Sequence, residues 1–139
     1  MTLGTGDLRV LDGDRCLELL GEVAYIRVAF VRGSMPAVMP VSHLLLDGAI
    51  YFRTEPSSQL SAAAVHGLVT VQADWAEART RRGWSVVAHG RASFVGDARE
   101  LERLEAQRFE PWVLPEADGC WVRIDVHEVS GGEIASPRR

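Results

Sequence analysis

Ser42, Arg53, Thr54, Ser58 and Gln59 are the residues whose types and order most suggest a ligand site in this chain. A guanidinium, hydroxyls and an amide gathered at one place can hold an anion or the polar edge of a planar ring, because charge-assisted hydrogen bonds are short and strong. All five fall within residues 39–60, MPVSHLLLDGAIYFRTEPSSQL. This stretch reads as a β-hairpin turned at Asp47-Gly48, since the central positions of a tight two-residue turn need positive φ. The register sets Leu46 against Ala49, Leu44 against Tyr51, Ser42 against Arg53 and Val41 against Thr54. Side chains alternate across a strand, so Val41, His43, Leu45, Ile50, Phe52 and Thr54 share one face. Ser42, Leu44, Leu46, Tyr51 and Arg53 share the other. Polar groups then collect only at the open end, where Ser57 or Ser58 caps a small helix whose first N–H groups could add to an anion site. The same residues also read as a turn, an N-cap and a solvated arginine.

Other constellations are sparser. Trp84-Ser85 places an aromatic ring beside a hydroxyl at a strand start, a pair that can flank a planar cofactor or simply pack. Four histidines, at 43, 66, 89 and 127, stand too far apart for metal-ligand spacing, and only His43 lies at the hairpin rim. Neither a nucleophile elbow, a P-loop nor a dinucleotide glycine motif is present. Arg79, Arg81 and Arg82 read as a solvated connection. Cys16 and Cys120 are isolated, which fits reduced thiols better than a disulfide framework.

Composition excludes whole mechanisms. All 15 basic residues are Arg and none is Lys, so a side-chain Schiff base cannot form. The net charge of −4 and the scattered arginines argue against a nucleic-acid interface. Apolar runs are far short of a membrane span and the N-terminus does not resemble a secretion signal, so a cytoplasmic protein is expected. With 139 residues, a single domain is expected, its core at about 15–134 between loose ends.

These side chains must be positioned by short elements. Residues 1–12 read as a loose lead-in, and Asp14 caps a helix stopped by Gly21. Strands are expected at Val23 to Val31, Ala37 to Leu46, the second hairpin arm, Leu68 to Asp74, Gly83 to Val95 and Cys120 to Val129. Between them, Asp97 with Glu100 resembles a capping box and opens a helix through about Arg108. The tail from Gly131 reads as frayed. About six antiparallel strands with three short helices favour a barrel over a parallel sheet. Strands that are apolar on both faces suggest an outer cover, most simply a second copy of the chain.

The order and spacing of several segments carry a resemblance. They are Cys16 to Leu20, Pro40-Val41, Tyr51-Phe52-Arg53-Thr54, Ser58-Gln59-Leu60, Gly83-Trp84-Ser85-Val86, Gly90-Arg91-Ala92 and Pro111-Trp112-Val113. Together they resemble the pyridoxamine 5′-phosphate oxidase-like family, and most of all its small flavin-binding branch. The resemblance implies a split β-barrel homodimer binding FMN, or alternatively a deazaflavin coenzyme, between subunits. It implies that Pro40, Val41, Ser42 and His43 lie along the ring and ribityl chain, and that Arg53 and Thr54 contact the cofactor from the next strand. Ser58 and Gln59 would form the phosphate turn, Trp84 and Ser85 would reach the ring, and Trp112 would close the groove. Gln59 stands where the family commonly has Lys or Arg. The expected function is hydride or electron transfer to a small organic acceptor, with no protein residue named as catalytic. The alternative is a non-catalytic flavin- or haem-binding module on the same barrel, with His43 as the haem ligand.

Overall fold

The computed structural model describes residues 7–55, 67–109 and 119–135. The expected helix after Ser57, with Ser58, Gln59 and His66, lies outside the described residues, as does Trp112. Within them the chain forms β1 (Asp7–Val10), α1 (Gly13–Glu22), β2 (Tyr25–Arg32), β3 (Met35–Ser42), β4 (Leu44–Leu46), β5 (Ala49–Thr54), β6 (Leu68–Glu77), β7 (Arg82–Phe94), α2 (Ala98–Glu105) and β8 (Cys120–Ala135).

All pairings are antiparallel, in the order β3-β2-β6-β7-β8-β5-β4, with β1 added beside β8. β3 also comes against β5, so the sheet curls as a split barrel does. β8 organises this curl. One edge runs along β7, while the other meets β5 through Cys120–Asp125 and β1 through Gly132–Ala135. A register shift between His89 and Gly90 bends this long pair. Gly90 allows the approach, because a Cβ there would run into the Asp125 carbonyl.

Two cores follow from side-chain alternation. Ile26, Val28, Ile50, Phe52, Val71, Val86, Val122 and Ile124 point into the barrel, whose interior α1 completes with Cys16, Leu19 and Leu20. Each such aliphatic or aromatic side chain, fully buried, contributes about 1.5–3 kcal/mol. On the outer surface of β4, β5 and β8, Tyr51 and Trp121 form a smaller core with Leu104 of α2. There the Tyr51 hydroxyl and Arg123 Nη1 both donate to Glu100 Oε2, each at 2.7 Å. Arg103 pairs with Asp47 in the hairpin turn.

The sequence expectation holds for fold class and for the turn, where Asp47 has φ 53° and Gly48 φ 81°. Leu46 faces Ala49 and Leu44 faces Tyr51, as expected. The next pairs do not form. Ser42 is the partner of Tyr25 and Val41 of Ile26, whereas Arg53 faces Trp121 and Thr54 faces Cys120. The reason lies at His43, where the chain leaves the ladder with β2 and passes to β5, so the expected single strand becomes β3 and β4. Among the described residues eight strands therefore replace about six. The additional β1 arises in the lead-in, and its pairing with β8 orders the tail to Ala135. Helix α1 is capped by Asp12, whose Oδ1 accepts from the Arg15 N–H at 2.8 Å, and not by Asp14. Asp97 caps α2 as expected, although that helix ends at Glu105.

Candidate functional site

The residues singled out from sequence separate by the face they occupy. Ser42 is the β2 partner of Tyr25, and Pro40 is the partner of Arg27. Ile26 and Val28 point into the barrel, so Tyr25 and Arg27 point out, and with them Pro40 and Ser42. Ser85 is the partner of Asp74 on the same outer surface. A polar strip joins these positions. Arg27 lies 5.7 Å over the Tyr25 ring, and its Nη1 donates to Gln72 Oε1 at 3.1 Å and stands 3.5 Å from Asp74 Oδ1. Gln72 Nε2 donates to Asp74 Oδ2 at 3.1 Å and to Ser85 Oγ at 3.5 Å. From β3 to β7 the strip crosses three strand spacings, about 14 Å. Sequence reading missed Tyr25, Arg27, Gln72 and Asp74. Their signal was the alternation within Tyr25-Ile26-Arg27-Val28 and Val71-Gln72-Ala73-Asp74, which sets a polar residue on the outer face at every second position.

Trp84 is half-buried and packs against the inner core. It also lines, with Trp75, Asp74, Ser85, Leu8 and Gly132, a largely apolar groove of about 660 Å³ at the β6–β7 hairpin end. Strand β5 carries Arg53 and Thr54. The Arg53 guanidinium lies 5.7 Å over the Trp121 ring and Nη2 donates to the Gly119 carbonyl at 3.4 Å. Phe109 packs on the same indole with ring centroids 5.2 Å apart. Thr54 accepts from Cys120 Sγ at 3.3 Å through its carbonyl.

His43 is not a rim residue. It is only 8% exposed, and its Nε2 lies 2.5 Å from the Leu20 carbonyl of α1, which requires the proton on that nitrogen. Burial pushes its pKa down, opposed by that hydrogen bond, so the ring is held neutral. An axial haem ligand needs a free ring nitrogen facing a cavity. Nε2 is engaged, and the other nitrogen is buried in the protein. Val41, which also packs against the inner core, is likewise turned away from the outer strip.

Among the described residues no group of three or more His, Cys, Asp or Glu could hold a metal. Nor is any helix long and apolar enough to cross a membrane. What the strip and groove offer is the Arg27 and Arg9 guanidinium groups, the Asp74 carboxylate, an amide, hydroxyls and indole walls. This donor set fits a flavin, whose fused ring has apolar faces and a rim of carbonyl and N–H groups.

Residues 12–133 match the sequence model of the pyridoxamine 5′-phosphate oxidase family. The chain belongs to that family. An uncharacterised protein of Mycobacterium tuberculosis is 35% identical over 134 residues, which cover 93% of this chain and 87% of the relative. Among solved structures, a conserved protein of unknown function from Corynebacterium diphtheriae is 30% identical with a TM-score of 0.76, over 92% of this chain and 98% of the other. The FAD-binding protein of Mycobacterium smegmatis is 26% identical with a TM-score of 0.78, over 89% of this chain and 98% of the other. This split-barrel family member therefore shares its fold with a flavoprotein along nearly the whole chain.

Proposed function

We propose that this family member binds a flavin on the outer face of its sheet and passes hydride or electrons from it to a small organic acceptor. The observation that carries the reading is family membership across residues 12–133, joined to near-complete structural overlap with an FAD-binding protein. The proposal extends to FMN, FAD or a deazaflavin, since all present a similar fused ring. Pro40 and Ser42 would lie along that ring from β3 and Ser85 would meet it from β7, while Trp84, which packs against the inner core, would line the groove at the hairpin end beside it. Arg53 and Thr54, with Ser58 and Gln59, would hold the phosphate end, and Trp112 would close over it. When bound, the flavin supplies the redox chemistry, and the chain supplies orientation and charge.

A homodimer is part of the proposal. Val31, Met35, Val38 and Leu68 stand exposed on the outer face of β2, β3 and β6, or at its margin, which is more apolar surface than a lone sheet face usually shows to water. A second copy laid there would shield that surface and enclose the polar strip. The test is to purify the protein from a host that makes FMN, FAD and deazaflavin, then record its absorbance and its thermal shift with each. A flavin spectrum with stabilisation by one of them supports the reading. A colourless protein that none of the three stabilises contradicts it. Turnover is tested separately, by reoxidation of the reduced holoprotein with quinone and nitroaromatic acceptors.

A further inference from the structure

We propose that Arg27 is the cation a ligand meets on the open sheet face, and that its pairing with Asp74 sets how strongly the protein favours the anionic form of that ligand. This rests on the flavin reading. Arg27 stands between Pro40 on β3 and Gln72 on β6, and Gln72 reaches Ser85 on β7. Any planar ligand spanning β3 to β7 therefore crosses the guanidinium. The other arginine assigned to the ligand, Arg53, is on β5, which meets the opposite side of β3 where the sheet curls.

The fold itself has little use for the pair. Arg27 and Asp74 side chains are 41% and 49% exposed, and an ion pair so open to water adds little to stability. Their arrangement instead suits recognition. Tyr25 supports one face of the guanidinium, Gln72 fixes one of its nitrogens, and Gln72 also holds the opposite side of the Asp74 carboxylate. Arg27 is thus oriented, while Asp74 tempers its charge.

Oxidised flavin has a neutral ring, and uptake of two electrons and one proton leaves that ring with one negative charge. Dithionite supplies the electrons in a titration. Arg27 should stabilise the anionic ring relative to the neutral one, and Asp74 should oppose it. In Arg27→Gln the affinity for reduced over oxidised flavin should fall about tenfold, which for a two-electron couple lowers the midpoint potential by about 30 mV. Arg27→Lys should keep the wild-type potential, and Asp74→Asn should raise it. Arg99→Gln, on the exposed surface of α2, is the control for a general charge effect.

The opposite shifts of Arg27→Gln and Asp74→Asn would support the inference. It is overturned if Arg27→Gln binds flavin with the wild-type potential, an outcome that leaves the flavin reading standing. A wild-type potential in Asp74→Asn overturns it equally, and this arm remains readable should Arg27→Gln not fold. If the wild-type protein takes up no flavin at all, the flavin reading fails and this inference with it.

Discussion

Arg53 and His43 were both expected at the rim, and the structure places them on opposite faces of the sheet. Arg53 is half-buried on the outer surface with its guanidinium over Trp121, an interaction of about 1–2 kcal/mol where the pair is partly desolvated. Arg53→Ala should therefore cost stability of that size, while flavin retention falls by tenfold or more if a charge-assisted bond of about 1.5–3 kcal/mol is lost. Equilibrium dialysis of the variant beside a denaturation curve checks both parts. His43 is a stability residue. Its folded pKa lies below that of the unfolded chain, about 6.5. The unfolded state thus binds a proton that the folded state refuses. The stabilisation is complete above pH about 6.5 and is lost as pH falls through the unfolded value toward the depressed folded one, by up to about 1.4 kcal/mol per pH unit. His43→Gln should flatten that acid slope in urea titrations made at successive pH values. An unchanged slope would assign the acid sensitivity to other groups. The inward position of His43 was legible in the alternation, which sets it with Val41 and Leu45. The buried carbonyl that holds it was not, because Leu20 lies 23 residues earlier on another element.

At the scale of elements, the Glu100 carboxylate is a main polar tie between α2 and the sheet. Burial alone would raise the Glu100 pKa, but hydrogen bonds from Tyr51 and Arg123 outweigh it and hold the carboxyl below its usual range. Stability from this group is present above the unfolded carboxyl pKa and is lost as pH falls through the folded one. Glu100→Ala should cost about 1.5–3 kcal/mol, because it leaves a phenol and a guanidinium without their shared acceptor. Chemical denaturation measures that cost, and Glu100→Gln should recover part of it. A loss near zero would mean that α2 is held by Leu104 and Trp121 packing and by the Arg103–Asp47 pair. The hairpin illustrates what local sequence can specify. Asp47-Gly48 and the apolar alternation gave the turn and two correct pairs, yet nothing local marked the exchange of partners after Leu44. That exchange depends on β2 pairing with the chain before His43 and β5 with the chain after it, and Tyr25 lies 17 positions ahead of its partner Ser42.

Across the whole molecule, fold class followed from strand-length segments, short connections and apolar alternation. The site followed less well, because its strip is assembled from contacts such as Arg27 with Gln72, 45 residues apart. β6 and β2 must pair before Arg27, Gln72 and Asp74 can be recognised as neighbours. The exposed apolar surface of β2, β3 and β6 belongs to this scale as well. Leu68→Glu should shift the protein from dimer toward monomer in light scattering and weaken flavin binding in proportion, if the copies enclose the ligand. A wild-type protein that is monomeric at every concentration would contradict the dimer proposal.

Titration of the purified chain with FMN, FAD and deazaflavin, read by ligand fluorescence and by thermal unfolding, is the most direct measurement. The expected result is saturable quenching by at least one flavin, with about 2.7 kcal/mol of added stability at a hundredfold excess over Kd. No quenching and an unshifted unfolding transition with all three would contradict a flavin site on this barrel.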